Sequence, residues 1–368
     1  MLHSAYMADT TLVLIGTRKG MWIATSDAER RDWRLDGPHF SMEEVYSCMI
    51  DKRGDRPRLL AGASSMWLGP QVRRSDDLGR TWQETPGGGV RFPEDSGAAV
   101  ERIWQLVPGS EPGVVYAGSE PAAVWRSTDG GETFALEQAL WDHPHRPLWG
   151  AGFGGQAFHT LLPHPTDPRS VTAAMSSGGV YQTADGGGSW EARNSGIRAD
   201  FLPEGQQYPE FGQCVHKITR HPSRPERMYL QNHGGVYRSD DHAATWTYIA
   251  DGLPADFGFP IVVHPHEPDT VYVFPISGGD GRFPPEGRAR VWRSRDAGES
   301  WEELGKGLPD SFYVAVMRDA MCADDHAEAG IYFGARNGTV WGSSDGGDSW
   351  GLVAADLPDV MVVRAAAV

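Results

Sequence analysis

The sequence predicts an all-β fold, a seven-bladed β-propeller built from four-stranded blades. The chain of 368 residues contains 46 glycines and 14 tryptophans, which indicates many tight turns between short, aromatic-rich strands. One eight-residue pattern recurs along almost the whole chain, at intervals of 49 to 56 residues. A repeat of this length is typical of sheets arranged radially around a channel, because one such sheet cannot bury both of its faces alone.

The repeated octet reads Ser/Thr-x-Asp-x-Gly-x-Thr/Ser-Trp, and we predict that it forms the turn between the third and fourth strands of each blade. Its Ser/Thr and Asp side chains can bond to nearby backbone amides, its glycine permits a positive φ, and its aromatic can pack into the core of its own unit. Six copies begin at Ser75, Ser127, Thr183, Ser239, Ser294 and Ser343, and a degenerate seventh contains Thr25, Asp27 and Trp33.

The two chain ends predict how the ring closes. Before the first octet there is room for only two strands, at 11–16 and 21–24, whereas residues 351–354 and 360–365 are extended beyond the last octet. We therefore predict that 360–365 supplies the missing inner strand of blade one, which leaves no long free edge. Residues 1–10 are expected to be an N-terminal tail, and residues 11–368 a single domain.

The octet resembles the Asp-box, or bacterial neuraminidase repeat, of sialidases, sortilin-type receptors, some xyloglucanases and photosystem assembly factors. The resemblance implies a propeller with structural Asp-box turns, and it carries almost no information about function. A sialidase is expected to have an arginine triad, a Tyr/Glu nucleophile pair, an acidic Asp and a Phe/Tyr-Arg-Ile-Pro motif near its start. The sequence RFPE at 91–94 does not match that motif, so the resemblance does not extend to sialidase activity.

Charge and cysteine content exclude several partners. The net charge of −16 repels phosphate backbones, so neither nucleic acid nor an anionic membrane is an expected partner. No stretch approaches the roughly 18 apolar residues needed to cross a bilayer, and no secretory signal is visible. The three cysteines, Cys48, Cys214 and Cys322, do not make a disulfide framework and fit a reducing compartment. We therefore expect a cytoplasmic protein.

Propeller geometry divides the loops between two faces. The octets share one face with the turns from first to second strands, where histidines lie in proline-rich turns that we interpret as structural. The opposite face collects the turns from second to third strands and the connections between blades, of which 141–156 and 194–213 are long, and an insertion at 275–290. Long loops in compact folds tend to be functional, so we predict a site at the channel mouth on this second face.

The inner strands are expected to contribute the deeper part of that site. Counting back 13 residues from each second strand places His159, His216 and Asp319 at equivalent positions. The same count gives Ser47, Ile103 and Phe259 in other blades. Because a one-residue error of register turns a strand side chain to the other face, neighbouring residues are also candidates: Tyr46, Gln105, Cys214, Tyr313 and Arg318.

Candidate site residues are those that can transfer protons or bind an anionic or hydroxyl-rich small molecule. The candidate catalytic residues are Glu120, His159, His216 and Asp319. The candidate ligand-binding residues are Arg18, Lys19, Trp67, His233, Arg282, Tyr313, Arg318 and Arg336. Because these cations would cluster at one mouth, we expect lowered pKa values for the histidines.

Three functions are compatible with these residues. The first is binding, with or without hydrolysis, of a small carboxylated or sugar-like ligand by a glycoside-hydrolase-like propeller. The second is a metal-dependent lyase or related enzyme, with a divalent metal held by His159, His216 and His233; no metal site or other cofactor is assigned. The third is a non-catalytic scaffold with a protein partner, like the assembly-factor propellers.

Overall fold

The computed structural model describes residues 10–152, 155–279 and 281–368. The expected N-terminal tail lies outside these residues except for Thr10, which begins the first strand. Within the described ranges the chain forms 28 β-strands, one α-helix, α1 (Gln138–Trp141), and four 3₁₀ turns at Pro86–Gly88, Glu94–Ser96, Arg146–Leu148 and Pro285–Gly287. Among the described residues, no helix has the length and apolar character to span a membrane.

Five four-stranded antiparallel sheets follow one another along the chain, each with its strands side by side in chain order. The first two contain β4 (Glu44–Asp51), β5 (Arg58–Ser65), β6 (Gly69–Ser75) and β7 (Gln83–Glu84), then β8 (Arg102–Pro108), β9 (Val115–Glu120), β10 (Ala123–Ser127) and β11 (Ala135–Leu136). The third contains β12 (Phe158–Pro163), β13 (Val171–Met175), β14 (Gly179–Thr183) and β15 (Glu191–Ala192). The last two contain β16 (Val215–Arg220), β17 (Met228–Asn232), β18 (Val236–Ser239) and β19 (Thr247–Tyr248), then β20 (Phe257–Val263), β21 (Val271–Ile276), β22 (Val291–Ser294) and β23 (Glu302–Leu304).

The two chain ends share an eight-stranded sheet. It contains β1 (Thr10–Thr17), β2 (Gly20–Asp27), β3 (Arg34–His39), β24 (Val316–Ala323), β25 (Ile331–Ala335), β26 (Val340–Ser343), β27 (Gly351–Ala354) and β28 (Val360–Ala367), in the order β27-β26-β25-β24-β28-β1-β2-β3. β28 pairs with β1 along the length of both strands, whereas β24 and β28 meet at a single parallel bridge, Asp319 to Val362. This is the pairing that the two unpartnered chain ends predict.

The octets form tight turns through their own side chains. In the third complete copy, the Thr183 hydroxyl donates to Asp185 Oδ1 (2.8 Å) and accepts from the Gly187 amide (2.9 Å). The Asp185 carboxylate accepts from the amide and the hydroxyl of Ser189 (2.9 and 2.7 Å). The other five complete copies repeat these bonds. The aspartate oxygens are therefore used by the turns, as the sequence predicts.

Acid is expected to destabilise the protein through these turns. Hydrogen bonds from Ser189 hold the pKa of Asp185 at about 2, below its ordinary value of 3.8. Because the pKa is lower in the folded state, the stabilisation is complete above roughly pH 4 and is lost as the pH falls toward about 2. Thermal melts across this range should show a falling Tm, and a smaller fall in Asp185→Asn. Asp55→Asn, in an exposed loop, is the control, and an equal fall in both variants would contradict this role.

The tryptophans that close the octets are largely buried. Trp190, Trp246 and Trp350 are 6%, 4% and 6% exposed, and Trp82 and Trp301 are partly buried. Their packing corrects the expectation that each lies in the core of its own unit. Trp246 belongs to a buried cluster that includes Ile197, which precedes its own sheet, and Met228 within it, and its indole N–H donates to the Arg193 carbonyl (2.9 Å). The tryptophan fills the space between neighbouring sheets, because radially arranged sheets diverge toward their outer strands.

Candidate functional site

A cavity of about 1120 Å³ opens at the mouth of the channel between the inner strands. Its walls come from the turns after second strands and from the connections between sheets, so it lies on the face opposite the octets. This is the face on which the sequence predicts a site. The cavity is large enough for a small-molecule ligand, for which pockets of roughly 300–1,000 Å³ are usual.

The floor of the cavity is built by a β-bulge that recurs in the inner strands. The register shifts near the start of β4, β8, β12, β16, β20 and β24, and also where β28 meets β1. A bulged residue has no direct partner across the ladder, which re-aims its side chain. The residues at these irregularities include Tyr46, Trp104, His159, His216, Phe259, Arg318 and Met361, and all of these except His159 line the cavity.

The fixed count of 13 residues misplaces some of the inner-strand side chains. The count of 13 gives His216 and Phe259 correctly, but it selects Ile103 and Asp319, one residue away from the cavity-lining Trp104 and Arg318. In β8 the count is off by one because the hairpin to β9 is one residue shorter than the hairpin from β16 to β17: Val107 pairs with Tyr116, whereas Thr219 pairs with Tyr229. In β24 the irregularity between Val316 and Met321 is longer than in the other inner strands, so a fixed offset does not fit it. Trp104 was missed altogether. A large side chain directly after the first aliphatic residue of an inner strand is the sequence signal that would have identified it.

Eight of the twelve candidate site residues line the cavity, namely Arg18, Glu120, His216, His233, Arg282, Tyr313, Arg318 and Arg336. The prediction that His159 walls the pocket is wrong, since its ring is 3% exposed and lies behind Ser176, with Nε2 3.2 Å from the Ser176 hydroxyl. Asp319 lies deeper in the channel. Lys19 and Trp67 lie on exposed turns away from the cavity lining.

Several of the cations at the mouth are paired with carboxylates. Arg18 and Arg336 share the carboxylate of Asp359, at 3.4 and 2.6 Å. Arg102 pairs with Glu120 at 3.0 Å. These arginines hold loops together around the rim, so they are less available to an anion than their number suggests.

Glu120 is held rigidly in the wall of the cavity. Its Oε2 accepts hydrogen bonds from the Arg102 guanidinium and from the Trp104 indole N–H, both at 3.0 Å. Gly155 packs so closely that a Cβ there would lie 1.9 Å from Glu120 Oε1, and its φ of +91° also favours glycine. The carboxylate therefore has a defined orientation, but one of its oxygens is already shared by two donors.

Arg318 has a different environment from the rim arginines. It is 7% exposed, and within the described ranges no carboxylate forms an ion pair with it. Its guanidinium lies over the rings of Trp104 and Phe259, at 5.6 and 5.4 Å from their centroids. One terminal nitrogen donates to the Ser176 hydroxyl (3.3 Å), and Nε has no partner. Burial lowers the pKa of Arg318, but a guanidinium remains charged in proteins.

More positive charge lies beneath the cavity. The Asp319 carboxylate accepts hydrogen bonds from Lys217 and from Arg364 (2.8 Å for the latter). Burial tends to raise the pKa of Asp319, but the charges of Lys217 and Arg364 outweigh it and hold the pKa below its usual range. Lys217 and Arg364 therefore share one carboxylate inside the channel, and Arg318 adds a third positive charge beside them. This interior favours an anion, although the whole chain is acidic.

One wall of the cavity carries a thiol and two imidazoles. One ligand atom from each of Cys214, His216 and His233 lies within 4.8 Å of the others, and Cys214 Sγ is 3.6 Å from His216 Nε2. Burial, followed by the charge of Arg318, lowers the pKa of His216 well below its ordinary value, and burial also lowers that of His233. Burial raises the pKa of the Cys214 thiol. The predicted lowering of the histidine pKa values is thus confirmed, with burial as the larger cause.

This group differs from the metal ligands that the sequence suggested. His159 lies outside it and contacts Ser176 instead, whereas Cys214 takes part. The sequence predicted Cys214 only as a neighbour of His216 in the strand, so its role beside the histidines was missed. The spacing Cys-x-His at the start of an inner strand was the available signal.

Comparison with known proteins addresses the fold. No family model matches the chain. The chain is 28% identical over 192 residues to a "Probable oligoxyloglucan-reducing end-specific xyloglucanase" of Neosartorya fischeri, and the match spans 51% of this chain and 20% of that protein. The chain thus covers about a fifth of the length of this curated relative.

Solved structures show the same architecture at low sequence identity. An ancestral GH74 enzyme superimposes with a TM-score of 0.54 and 15% identity, over 87% of this chain and 38% of that one. The GH74 enzyme of Niastella koreensis gives 0.53 and 12%, over 96% and 68%. YCF48 from Cyanidioschyzon merolae gives 0.54 and 12%, over 84% of both chains. The chain therefore has a β-propeller fold, similar to that of GH74 enzymes and of YCF48.

Proposed function

We propose that this propeller binds a small anionic ligand at its channel mouth, with a carboxylate of the ligand paired to Arg318. The observation that carries the proposal is the buried Arg318 guanidinium, which lines the cavity without an ion pair among the described residues. Burying an unpaired charge is costly. A ligand carboxylate would supply the missing charged partner of the guanidinium.

The rest of the floor suits a ligand with a flat or sugar-like body. Tyr46, Trp104 and Phe259 expose aromatic surface beside Arg318, and aromatic faces pack well against rings. Lys217 and Arg364 add positive potential below, which strengthens the attraction for an anion in a poorly hydrated channel.

Hydrolysis of a glycoside is the less favoured form of this function. Two carboxylates acting as a pair are needed for the usual glycosidase mechanisms. Within the described cavity lining, the carboxylates are Glu120 and Asp359, and both are engaged in ion pairs with arginines. We therefore propose ligand binding as the primary role, with Glu120 as the general acid or base if cleavage occurs.

A second candidate function is a scaffold for a protein or peptide partner. Of the twelve exposed large hydrophobic side chains in the described part of the chain, nine lie on loops of the cavity face: Met42, Met66, Trp67, Leu68, Leu148, Phe201, Tyr208, Phe283 and Tyr313. Contiguous exposed apolar surface marks interaction sites, so the concentration of these side chains on one face supports a partner there. One structural neighbour is YCF48 bound to a D1 peptide. Pull-down with the parent and with a Met66/Trp67/Leu68→Ser variant tests this alternative. A partner captured equally by both proteins would show that the turn at 66–68 does not bind it.

We also propose a closed ring of seven blades that forms one domain over residues 11–368, located in the cytoplasm. The eight-stranded sheet divides at its single β24–β28 bridge into two four-stranded blades, and the inner strands β28, β4, β8, β12, β16, β20 and β24 contact one another in turn, with β24 returning to β28. The three cysteines are free, which supports a reducing compartment.

Replacing Arg318 by Met is expected to weaken carboxylate binding by about 2–5 kcal/mol, as removal of one partner of a buried charge pair does. Calorimetric titration with a panel of small carboxylates and uncharged sugars measures the effect. The unliganded Arg318→Met protein should also melt at a higher temperature than the parent, because an unpaired buried charge has been removed.

Arg336→Met is the matched control, since Arg336 lines the same cavity but is half-exposed and paired with Asp359. It should change carboxylate affinity by less than about 1 kcal/mol. Equal losses in the two variants, or binding of uncharged sugars that Arg318→Met leaves intact, would contradict the proposed role of Arg318.

A further inference from the structure

We propose that Cys214, His216 and His233 form a zinc site in the cavity wall, with an open coordination position facing the cavity. The inference rests on the geometry of these three side chains and does not depend on the anion site proposed above. It assigns to the propeller a metal centre of one thiolate and two imidazoles.

The distances are close to those of a bound ion. Zinc lies about 2.3 Å from thiolate sulfur and about 2.0–2.1 Å from imidazole nitrogen in a tetrahedral site, so neighbouring ligand atoms are separated by roughly 3.3–3.7 Å. Cys214 Sγ and His216 Nε2 are already 3.6 Å apart. The whole set lies within 4.8 Å, so a shift of about 1 Å in the remaining ligand completes the geometry.

The surroundings of His216 orient it as a metal ligand. Its Nδ1 lies 2.6 Å from the Gly258 carbonyl oxygen, which can only accept, so Nδ1 carries the proton. The lone pair of Nε2 is therefore directed toward Cys214. Metal-binding histidines usually have their second nitrogen fixed in this way. His216 is also buried, so its ring is held in place before any ion arrives.

The third ligand is tied to the first through the backbone. The His233 amide donates to the Cys214 carbonyl oxygen at 2.9 Å. His233 follows the end of β17 in a turn, and its side chain is half-buried. The backbone of this turn is thus held beside Cys214, while the half-buried His233 side chain can still move toward the other two ligands by the distance that a bound ion requires.

The ligand set selects the metal. A thiolate with two imidazoles and no carboxylate suits zinc and disfavours magnesium or calcium, which take oxygen ligands. Three protein ligands leave one position open, as in reactive zinc sites. Arg318 carries positive charge near His216 and would repel a metal cation at this site. The negative charges of the Cys214 thiolate and of an anion in the open position would offset that repulsion. Zinc and a carboxylate should then each strengthen the binding of the other.

Cobalt(II) titration tests the site, since Co²⁺ replaces Zn²⁺ in tetrahedral sites and is coloured. Protein without a histidine tag, freed of metal with a chelator, should bind one equivalent of Co²⁺ with a thiolate-to-cobalt charge-transfer band, and Zn²⁺ should displace it. Cys214→Ser should lose that band, and Cys214→Ser, His216→Ala and His233→Ala should each lower the affinity by about 100-fold or more.

Two variants are matched controls: Cys322→Ala removes a buried thiol outside the cavity, and His264→Ala removes a histidine near the opposite face. Both should retain the band and the affinity. Retention of the band in Cys214→Ser, or no saturable Co²⁺ binding by the parent, would overturn the proposal.

X-ray absorption at the zinc edge of the unsubstituted protein gives an answer that does not depend on how the variants fold. We expect one sulfur and two imidazole nitrogens around zinc, and a shell of nitrogen and oxygen alone would overturn the site. The titration contains no carboxylate, and Arg318→Met should keep the cobalt band. Failure of the metal site is thereby distinguishable from failure of the anion site.

Discussion

Replacing Asp319 by Ala is expected to lower the free energy of unfolding by about 3–5 kcal/mol, the usual cost of removing one partner from a buried ion pair. Asp319 is 5% exposed and holds both Lys217 and Arg364 in the channel. Without its carboxylate, two buried cations would remain beside Arg318 with no anion among them. The same residue forms the bridge between β24 and β28, so the stability is lost where the C-terminal strand meets the neighbouring inner strand.

Equilibrium denaturation in urea measures this effect. Asp319→Asn keeps the size and a hydrogen-bond acceptor, so its loss should be smaller than that of Asp319→Ala. Glu29→Ala is the control, because its ion pair with Arg31 is 64% and 80% exposed at the two side chains and should contribute less than about 1 kcal/mol. A similar small loss in Asp319→Ala would mean that water reaches these cations and that the channel is better hydrated than its burial indicates.

Trp246→Ala is expected to destabilise the protein by about 3–5 kcal/mol, as other large core truncations do. The side chain is 4% exposed, lies between two sheets and donates its indole N–H to the Arg193 carbonyl. The substitution would leave a cavity between the sheets and an unpaired carbonyl. Because the octet tryptophans connect neighbouring sheets, removing the Trp246 side chain should destabilise more than one sheet.

Trp67→Ala provides a matched control for the tryptophan prediction. Trp67 is 89% exposed on a turn of the cavity face, so its removal should change the free energy of unfolding by no more than about 0.5 kcal/mol. Thermal or urea melts of the two variants give the comparison. Equal stability of Trp246→Ala and Trp67→Ala would contradict the inter-sheet role of the octet tryptophan.

The proposed anion and metal sites share one feature, namely that each contains a polar side chain whose interactions a bound ligand would complete. Arg318 is buried without an ion pair among the described residues, and the Cys214 thiol lies 3.6 Å from His216 Nε2 in the same wall of the cavity. Such arrangements persist where a ligand supplies the missing interaction. Ligand and metal are therefore each expected to raise the Tm, by mass action on the folded state.

The sequence alone determined the architecture because the information that specifies it is local. Each octet forms its turn with hydrogen bonds between residues at most four apart, as Thr183, Asp185 and Ser189 show. Local bonds of this kind depend on residue type and spacing, which can be read directly. Repetition of the turn along the chain then implied successive four-stranded sheets, and the face of the site followed from which turns connect which strands.

Only the tertiary structure decided which side chains face the cavity. In β24 the irregularity between Val316 and Met321 sets the direction of the side chains within it, so Arg318 lines the cavity while Asp319 lies deeper in the channel. The ion pair between Arg18 and Asp359 joins residues from opposite ends of the chain, and the contact of Cys214 with His216 and His233 depends on how a turn folds back over a strand. Long-range charge pairing has no local signature, and local signals such as Cys-x-His do not show which side chains meet across strands. The chemistry of the site therefore emerged only when the sheets were packed together.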